Sequence, residues 1–254
     1  MSTRVAVNGA AGRMGRTVVE TASERDDVEV VAGFHATDAG EIGGVPVVGS
    51  DEAADALAEH DVDAVVDFAT PEAAVSVADA CADAGVALVV GTTGFDDDQL
   101  AALDAAAESV PVLKATNFSR GIQALLRTVR EAVGVLDGYD LELMETHHND
   151  KVDAPSGTAN TILETVQEQR DVEPVYGREG HAPRDGDEIG VFARRAGDVR
   201  GEHELVLAGN DEVVSLSHRA EDRGVFAAGA LDAAAWLAGK SPGRYEFGTV
   251  VDES

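Results

Sequence analysis

Short Val-rich runs with room for a helix between them constrain the first half of this chain more than any other feature. They are "RVAVN" (4–8), "VEVVAGF" (28–34), "DAVVDF" (63–68), "ALVVGT" (87–92) and "VPVLKA" (110–115), each bounded by turn residues. A helix is expected from about Arg13, and Ala-rich helical stretches, "PEAAVSVADACADAG" and "DDQLAALDAAAES", separate the later runs. Strands apolar along their whole length are buried on both faces, which is the condition of a parallel sheet with helices on either side. The alternation predicts a doubly wound α/β domain.

The pattern changes after Asn117. "SRGIQALLRTVREAVGVL" predicts a long helix capped by Ser119, with Ile122, Leu125, Leu126, Val129 and Val133 along one face. An alternating strand, "DLELMETHHN", follows, then a helix after "APSGT" with apolar Ile162, Leu163 and Val166. Residues 189–219 read as antiparallel strands, with "AGND" as a hairpin turn. Strands and helices without βαβ order point to a second, α+β, domain. A closing helix, "GVFAAGALDAAAWLAGK", and a strand-like "RYEFGTVV" are free to return to either domain.

"VAVNGAAGRMGR" places Gly9, Gly12 and Gly15 between the first strand and the first helix. Glycines there permit a tight turn and close approach of backbone to a pyrophosphate, whose charge then meets the helix N-terminus. The spacing is G-x-x-G-x-x-G, one residue longer than the usual dinucleotide fingerprint, so the motif alone leaves nucleotide binding and a structural turn both open. Its position at the head of a βα-alternating half favours the nucleotide. The second strand ends "GFHATD", with His35 where a carboxylate for an adenosine ribose is expected and Asp38 as the nearest acid. Arg13 and Arg16 supply cations beside the loop.

A second constellation occupies "ETHHNDKVDAPSGTAN" (145–160). The chain has only three lysines, Lys114, Lys151 and Lys240, and one of them falls here. Adjacent strand residues point to opposite faces, so His147 and His148 do not readily chelate one ion with Glu145 or Asp153, and no zinc-type His spacing is present. No metal site is expected. The backbone N–H groups opening the helix at Pro155–Thr158, with the Ser156 and Thr158 hydroxyls, make a carboxylate site to which Lys151 adds a point charge. The layout suits a small dicarboxylate with a histidine available for proton transfer.

Charge excludes other classes. With 48 Asp plus Glu against 19 Lys plus Arg the net charge is −29, which argues against a nucleic-acid partner. Acidic stretches such as "ERDDVE", "FDDDQ" and "RDGDE" fall between apolar segments, as solvated loops do. An excess this large goes beyond what solubility needs and points to a salt-adapted protein. "RVAVNGA" follows Met1 too closely for a signal sequence, and no apolar run is long enough to span a membrane. Together with a single cysteine, Cys81, this predicts a cytoplasmic protein.

Taken together, "VNGAAGRMGR" and "ETHHNDKVDAPSGTA" resemble the dihydrodipicolinate reductase family, the 4-hydroxy-tetrahydrodipicolinate reductases of lysine and diaminopimelate biosynthesis. The resemblance extends to "VVDFATPEA", "VVGTTGFDDDQ", "ATNFSRGIQ", "YGREGH", "RAGDVRGEHEL" and "AAWLAGK", nearly the whole chain. It implies a Rossmann-like dinucleotide domain of residues 1–118 and 224–254, and a central substrate-binding domain, 119–223, that also builds a homotetramer. It implies NADH or NADPH as hydride donor. Gly9, Ala10, Ala11, Gly12, Arg13 and Met14 then hold the pyrophosphate. Gly91, Thr92 and Thr93, with Ala115, Thr116, Asn117 and Phe118, flank the nicotinamide. His147 and Lys151 are the proton-transfer residues, and His148, Gly157 and Thr158 join Ser156 on the substrate carboxylate. His35 and Ala36 stand where members of the family can carry an acid and an arginine. The rivals are another two-domain NAD(P)-dependent oxidoreductase, such as a semialdehyde dehydrogenase needing a thiolate, and a non-catalytic dinucleotide sensor.

Overall fold

The computed structural model describes residues 2–37 and 39–253. Two compact units divide the chain: residues up to Phe118 together with those from Arg223 onward, and Ser119–Asp222.

The first unit is built on β1 (Thr3–Asn8), α1 (Arg13–Ser23), β2 (Val28–His35), β3 (Gly40–Ile42), β4 (Val45–Gly49), α2 (Ala53–Glu59), β5 (Ala64–Asp67), α3 (Pro71–Ala84), β6 (Ala87–Val90), α4 (Asp97–Ala107) and β7 (Pro111–Lys114). Its eight-stranded sheet runs β13-β7-β6-β5-β1-β2-β4-β3, where β13 is Gly243–Tyr245. Every pairing is parallel except β3 with β4. Strand alternation divides the core into two layers. Val5, Val7, Val66 and Val89 face α1 and the later α7 (Gly224–Leu237), while Ala6, Val65, Leu88 and Val90 face α2, α3 and α4. From β1 the chain builds outward through β2 on one side and β5 on the other, so the loops after β1 and β5 meet at a topological switch point.

In the second unit α5 (Arg120–Val135) is capped by Ser119, whose Oγ accepts the Ile122 N–H at 3.3 Å. It is followed by β8 (Asp140–His147), α6 (Gly157–Gln167), β9 (Glu173–Tyr176), β10 (Glu188–Arg195), β11 (Glu202–Gly209) and β12 (Glu212–Arg219). The sheet order is β12-β11-β8-β10-β9. Leu141, Leu143, Ile189, Val191, Leu205 and Leu207 pack on Ile122, Val129, Ile162 and Val166 from the two helices. The hairpin turn falls at Asn210 and Asp211, with φ of 50° and 60°, the paired positive values of a type I′ turn.

Two expectations are corrected. Residues 189–219 are not all antiparallel: β10 runs parallel to both β8 and β9, and only β11 and β12 alternate. The reason is two successive crossovers, α6 from β8 to β9 and residues 177–187 from β9 to β10, each of which brings the chain back to start the next strand in the same direction. "RYEFGTVV" is a strand only at its start, because Phe247–Glu253 forms a helix, α8, whose Phe247 and Val250 enter the first unit's core.

Candidate active site

At the first unit's switch point the glycine turn is sterically obligatory. Gly9 has φ +80°, and a Cβ there would lie 2.4 Å from the Phe68 carbonyl oxygen. A Cβ on Gly15 would lie 2.2 Å from the Gly9 carbonyl oxygen, so α1 seats directly on the turn. Gly9 and Ala10 donate their N–H groups to Phe34 O at 2.9 and 3.1 Å, and Gly12 donates to Gly9 O at 2.8 Å. Those donors shape the loop. Arg13, Met14 and Gly15 open α1 behind Gly12, which offers no side-chain cap, so as first-turn residues their N–H groups have no acceptor within the helix. Arg13 is exposed beside them, whereas Arg16 donates from Nε to Ala11 O at 3.1 Å.

The other cofactor candidates line the same carboxyl edge of the sheet. His35 ends β2 and is half-buried. Asp38 lies outside the described residues. A Cβ on Gly91 would overlap the Phe68 ring at 2.2 Å, so that ring rests on Gly91. Phe68 meets buried Phe118 edge-on at 6.0 Å. Thr92 is buried, its Oγ1 accepting the Ala69 N–H at 2.9 Å, while Thr93 and Thr116 are exposed and Ala115 and Asn117 are half-buried. Beneath the turn, Asn8 Nδ2 donates to Asp67 Oδ1 at 2.8 Å. Burial pushes the Asp67 carboxyl up to about 6 against hydrogen bonds from Thr92 and Asn8. Cys81 is fully buried in α3, and burial, then the nearby Asp67 charge, drive its thiol well above the ordinary range. A thiolate nucleophile is therefore absent from this position.

In the second unit the helix-facing stripe of β8 begins as core, Leu141 and Leu143, and turns polar at Glu145 and His147. Register completes the cluster: Arg195 of β10 pairs with His147, and His203 of β11 pairs with Glu145, so all four side chains gather on one face. His147 donates from Nδ1 to Glu145 Oε2 at 2.7 Å. Arg195 grips the same carboxylate with both terminal nitrogens, at 2.8 and 2.7 Å. Ser156 donates its N–H to Glu145 Oε1 at 3.1 Å, and its Oγ caps α6 by accepting the Ala159 N–H at 3.1 Å. That Oγ also lies 3.0 Å from His203 Nε2. Gly157 and Thr158 form the first turn of α6, presenting the N–H groups expected of a carboxylate site.

Lys151 reaches the cluster indirectly. Its Nζ lies 2.8 Å from Asp153 Oδ1, and the Asp153 carbonyl accepts a hydrogen bond from Arg195. His148 lies beyond the strand end and is half-buried. Among the described residues, no group of three or more His, Cys, Asp or Glu is placed to hold a metal ion. Sequence reading weighed Glu145 only as a metal partner and did not single out Arg195 or His203. The signals were present: Glu145 is two residues from His147 and so on its face, and "RAGDVRGEH" holds the other two.

A glycine turn on the carboxyl edge of a doubly wound sheet, joined in one chain to a histidine–carboxylate cluster beside a helix N-terminus, defines a Rossmann-type, NAD(P)H-dependent oxidoreductase. Residues 3–118 match the N-terminus of dihydrodipicolinate reductase and residues 121–251 match its C-terminus, and the chain belongs to that family. It is 71% identical over 250 residues to the 4-hydroxy-tetrahydrodipicolinate reductase of Haloarcula marismortui, covering 98% of this chain and 99% of that one. The enzyme of the same name from Natronomonas pharaonis is 56% identical, with 97% and 99% covered. The fold is that of the dipicolinate-bound dihydrodipicolinate reductase from Paenisporosarcina sp. TG-14, with a TM-score of 0.76, 24% identity, and 97% and 98% of the two chains covered. The family uses NADH or NADPH, held by its Rossmann-type N-terminal domain.

Proposed function

We propose that this chain reduces 4-hydroxy-tetrahydrodipicolinate, or the dihydrodipicolinate formed from it by loss of water, to tetrahydrodipicolinate. The observation that carries the reading is that the family match runs through both units, with the proton-transfer cluster in one and the glycine turn in the other. Bound NAD(P)H supplies the hydride from nicotinamide C4. The pyrophosphate belongs on the N–H groups of Arg13 and Met14, over a turn shaped by Gly9, Ala10, Ala11 and Gly12. His35 would meet the adenosine ribose, and Gly91, Thr92, Thr93 and Ala115 to Phe118 would flank the nicotinamide.

His147 carries the proton exchanged with the substrate, and Lys151 supplies a second donor and a positive charge for a carboxylate. Gly157 and Thr158 hold that carboxylate through the α6 N-terminus, with His148 as a further contact; Ser156, expected to join them, is buried and instead gives its N–H to Glu145 and its Oγ to the cap of α6 and to His203. An amino-acid biosynthetic role in the cytoplasm follows from the family; among the described residues no helix is long and apolar enough to cross a membrane. A homotetramer built by the second unit is part of the same reading. It is supported by the sheet face away from α5 and α6, where Met144, Tyr176 and Phe192 line a groove. The direct test follows NAD(P)H oxidation with freshly prepared substrate. Consumption dependent on both substrates supports the proposal, and its absence with folded, cofactor-binding protein defeats it.

A further inference from the structure

We infer that Glu145 is a positioning residue for this reaction: it fixes which nitrogen of His147 exchanges the substrate proton and locks the α6 N-terminus to the same anchor. The inference rests on His147 acting as proposed above. Glu145 is 0% exposed, and its two oxygens receive four hydrogen bonds, one from His147 Nδ1, two from Arg195 and one from the Ser156 N–H. Burial pushes this carboxyl up, but the His147 and Arg195 partners outweigh it and hold it down to about 2. An ionised carboxylate only accepts, so Nδ1 must carry the hydrogen, and neutral His147 presents a bare Nε2.

The far side of the ring is kept open by a second feature. Gly201 has φ +152°, and a Cβ there would lie 3.1 Å from Nε2, so any side chain at 201 would crowd the working atom. Arg195 extends the anchor to the Lys151 loop through the Asp153 carbonyl. One buried carboxylate thus ties together the histidine, the carboxylate-binding turn and the segment bearing the lysine.

Replacement by glutamine has a defined consequence. Both Arg195 nitrogens and the Ser156 N–H are obligatory donors, and an amide offers one oxygen where there were two. With that oxygen turned to Arg195 and Ser156, the amide NH₂ faces His147 and forces Nδ1 to become the acceptor. The hydrogen then moves to Nε2, the wrong tautomer for accepting a proton there. A loss in kcat of about 10²–10⁴-fold is expected for Glu145→Gln, with the Kd for NADPH unchanged because the cofactor elements lie in the first unit.

The test is ¹⁵N NMR of histidine-labelled protein at a pH where His147 is neutral, with its signals assigned by difference from His147→Gln. Wild type is expected to show the hydrogen on Nδ1, and Glu145→Gln to show it on Nε2 together with the loss in kcat. Hydrogen on Nε2 in wild type overturns the inference without recourse to any variant. So does near-normal kcat in Glu145→Gln while His147→Ala is inactive. Should His147→Ala itself turn over normally, the assignment of His147 fails instead, and the two failures are distinct.

Discussion

Nε2 of His203 lies 3.0 Å from Oγ of Ser156, the residue that caps α6. Burial, then the neighbouring His147, depress the His203 pKa from 6.5 to about 3, so the folded protein keeps this ring neutral. The unfolded chain binds a proton there from 6.5 downward. The stabilisation is therefore complete above pH 6.5 and is lost progressively as pH falls from 6.5 toward 3, amounting to about 2 kcal/mol by pH 5. Glu145, lowered from 4.5 to about 2, adds a second loss between those values. Urea unfolding of wild type and His203→Gln in concentrated salt at pH 7, 6 and 5 measures this, because the other titrating groups cancel in the difference, and the stability of wild type relative to the variant should fall by about 2 kcal/mol from pH 7 to 5. A difference between the two that stays level from pH 7 to 5 contradicts the buried neutral ring.

The Asn8–Asp67 pair has the opposite sign. Asp67 is 0% exposed and its carboxyl is raised from 3.8 to about 6, while Asn8 Oδ1 and Asp67 Oδ2 have no hydrogen-bond partner. Ionisation is penalised in the folded state, so stability from this group is greatest below 3.8 and falls as pH rises through 6. At neutral pH the penalty is about 3 kcal/mol. Asp67→Asn should raise Tm at pH 7.5, with the advantage shrinking below pH 6 and vanishing near 3.8. A variant less stable than wild type at pH 7.5 would show that the charged form is favoured in the fold.

How much was legible follows from what local pattern encodes. The parallel sheet was readable because strands such as Val5–Val7 and Val65–Val66 are apolar on both faces, and the cap at Ser119 is written in a single residue, whereas Ser156, read as a carboxylate ligand, also caps α6. The direction of β10 was not, because it depends on how residues 177–187 return the chain from β9 rather than on the strand's own sequence. Phe247–Glu253 misled because its β-branched Thr249, Val250 and Val251 suit a strand, and burial of Phe247 and Val250 decided for a helix. His147 stood out by its motif, whereas Arg195 and His203 join it only through strand register, about 50 residues away in sequence.

The cofactor preference follows from what ends β2. His35 occupies the place of the usual acid, and Arg13 is exposed at the head of α1, so the end of β2 itself sets no described carboxylate against a 2′-phosphate. Both NADH and NADPH are expected to work, with higher kcat/KM for NADPH. An NADH preference of more than about tenfold, roughly 1.4 kcal/mol, would contradict this and direct attention to Asp38.

Salt dependence follows from a net charge of −29 on 254 residues. The Debye length is about 30 Å at 0.01 M salt and about 3 Å at 1 M, so surface carboxylates repel one another widely only in dilute buffer. Stability and activity should rise together with KCl into the molar range, and dialysis into dilute buffer should unfold the protein. Thermal melts across a salt series decide it. A midpoint that is flat or falls with added salt would show that the acidic excess serves ordinary solubility.

The claim that the His147 and Lys151 cluster performs the proton chemistry is tested most directly by single-turnover and steady-state reduction in His147→Ala and Lys151→Ala, with NADPH binding measured on the same preparations. Each variant should bind cofactor as wild type does and lose about 10²–10⁴-fold in kcat. Near-wild-type turnover in both variants would contradict the account.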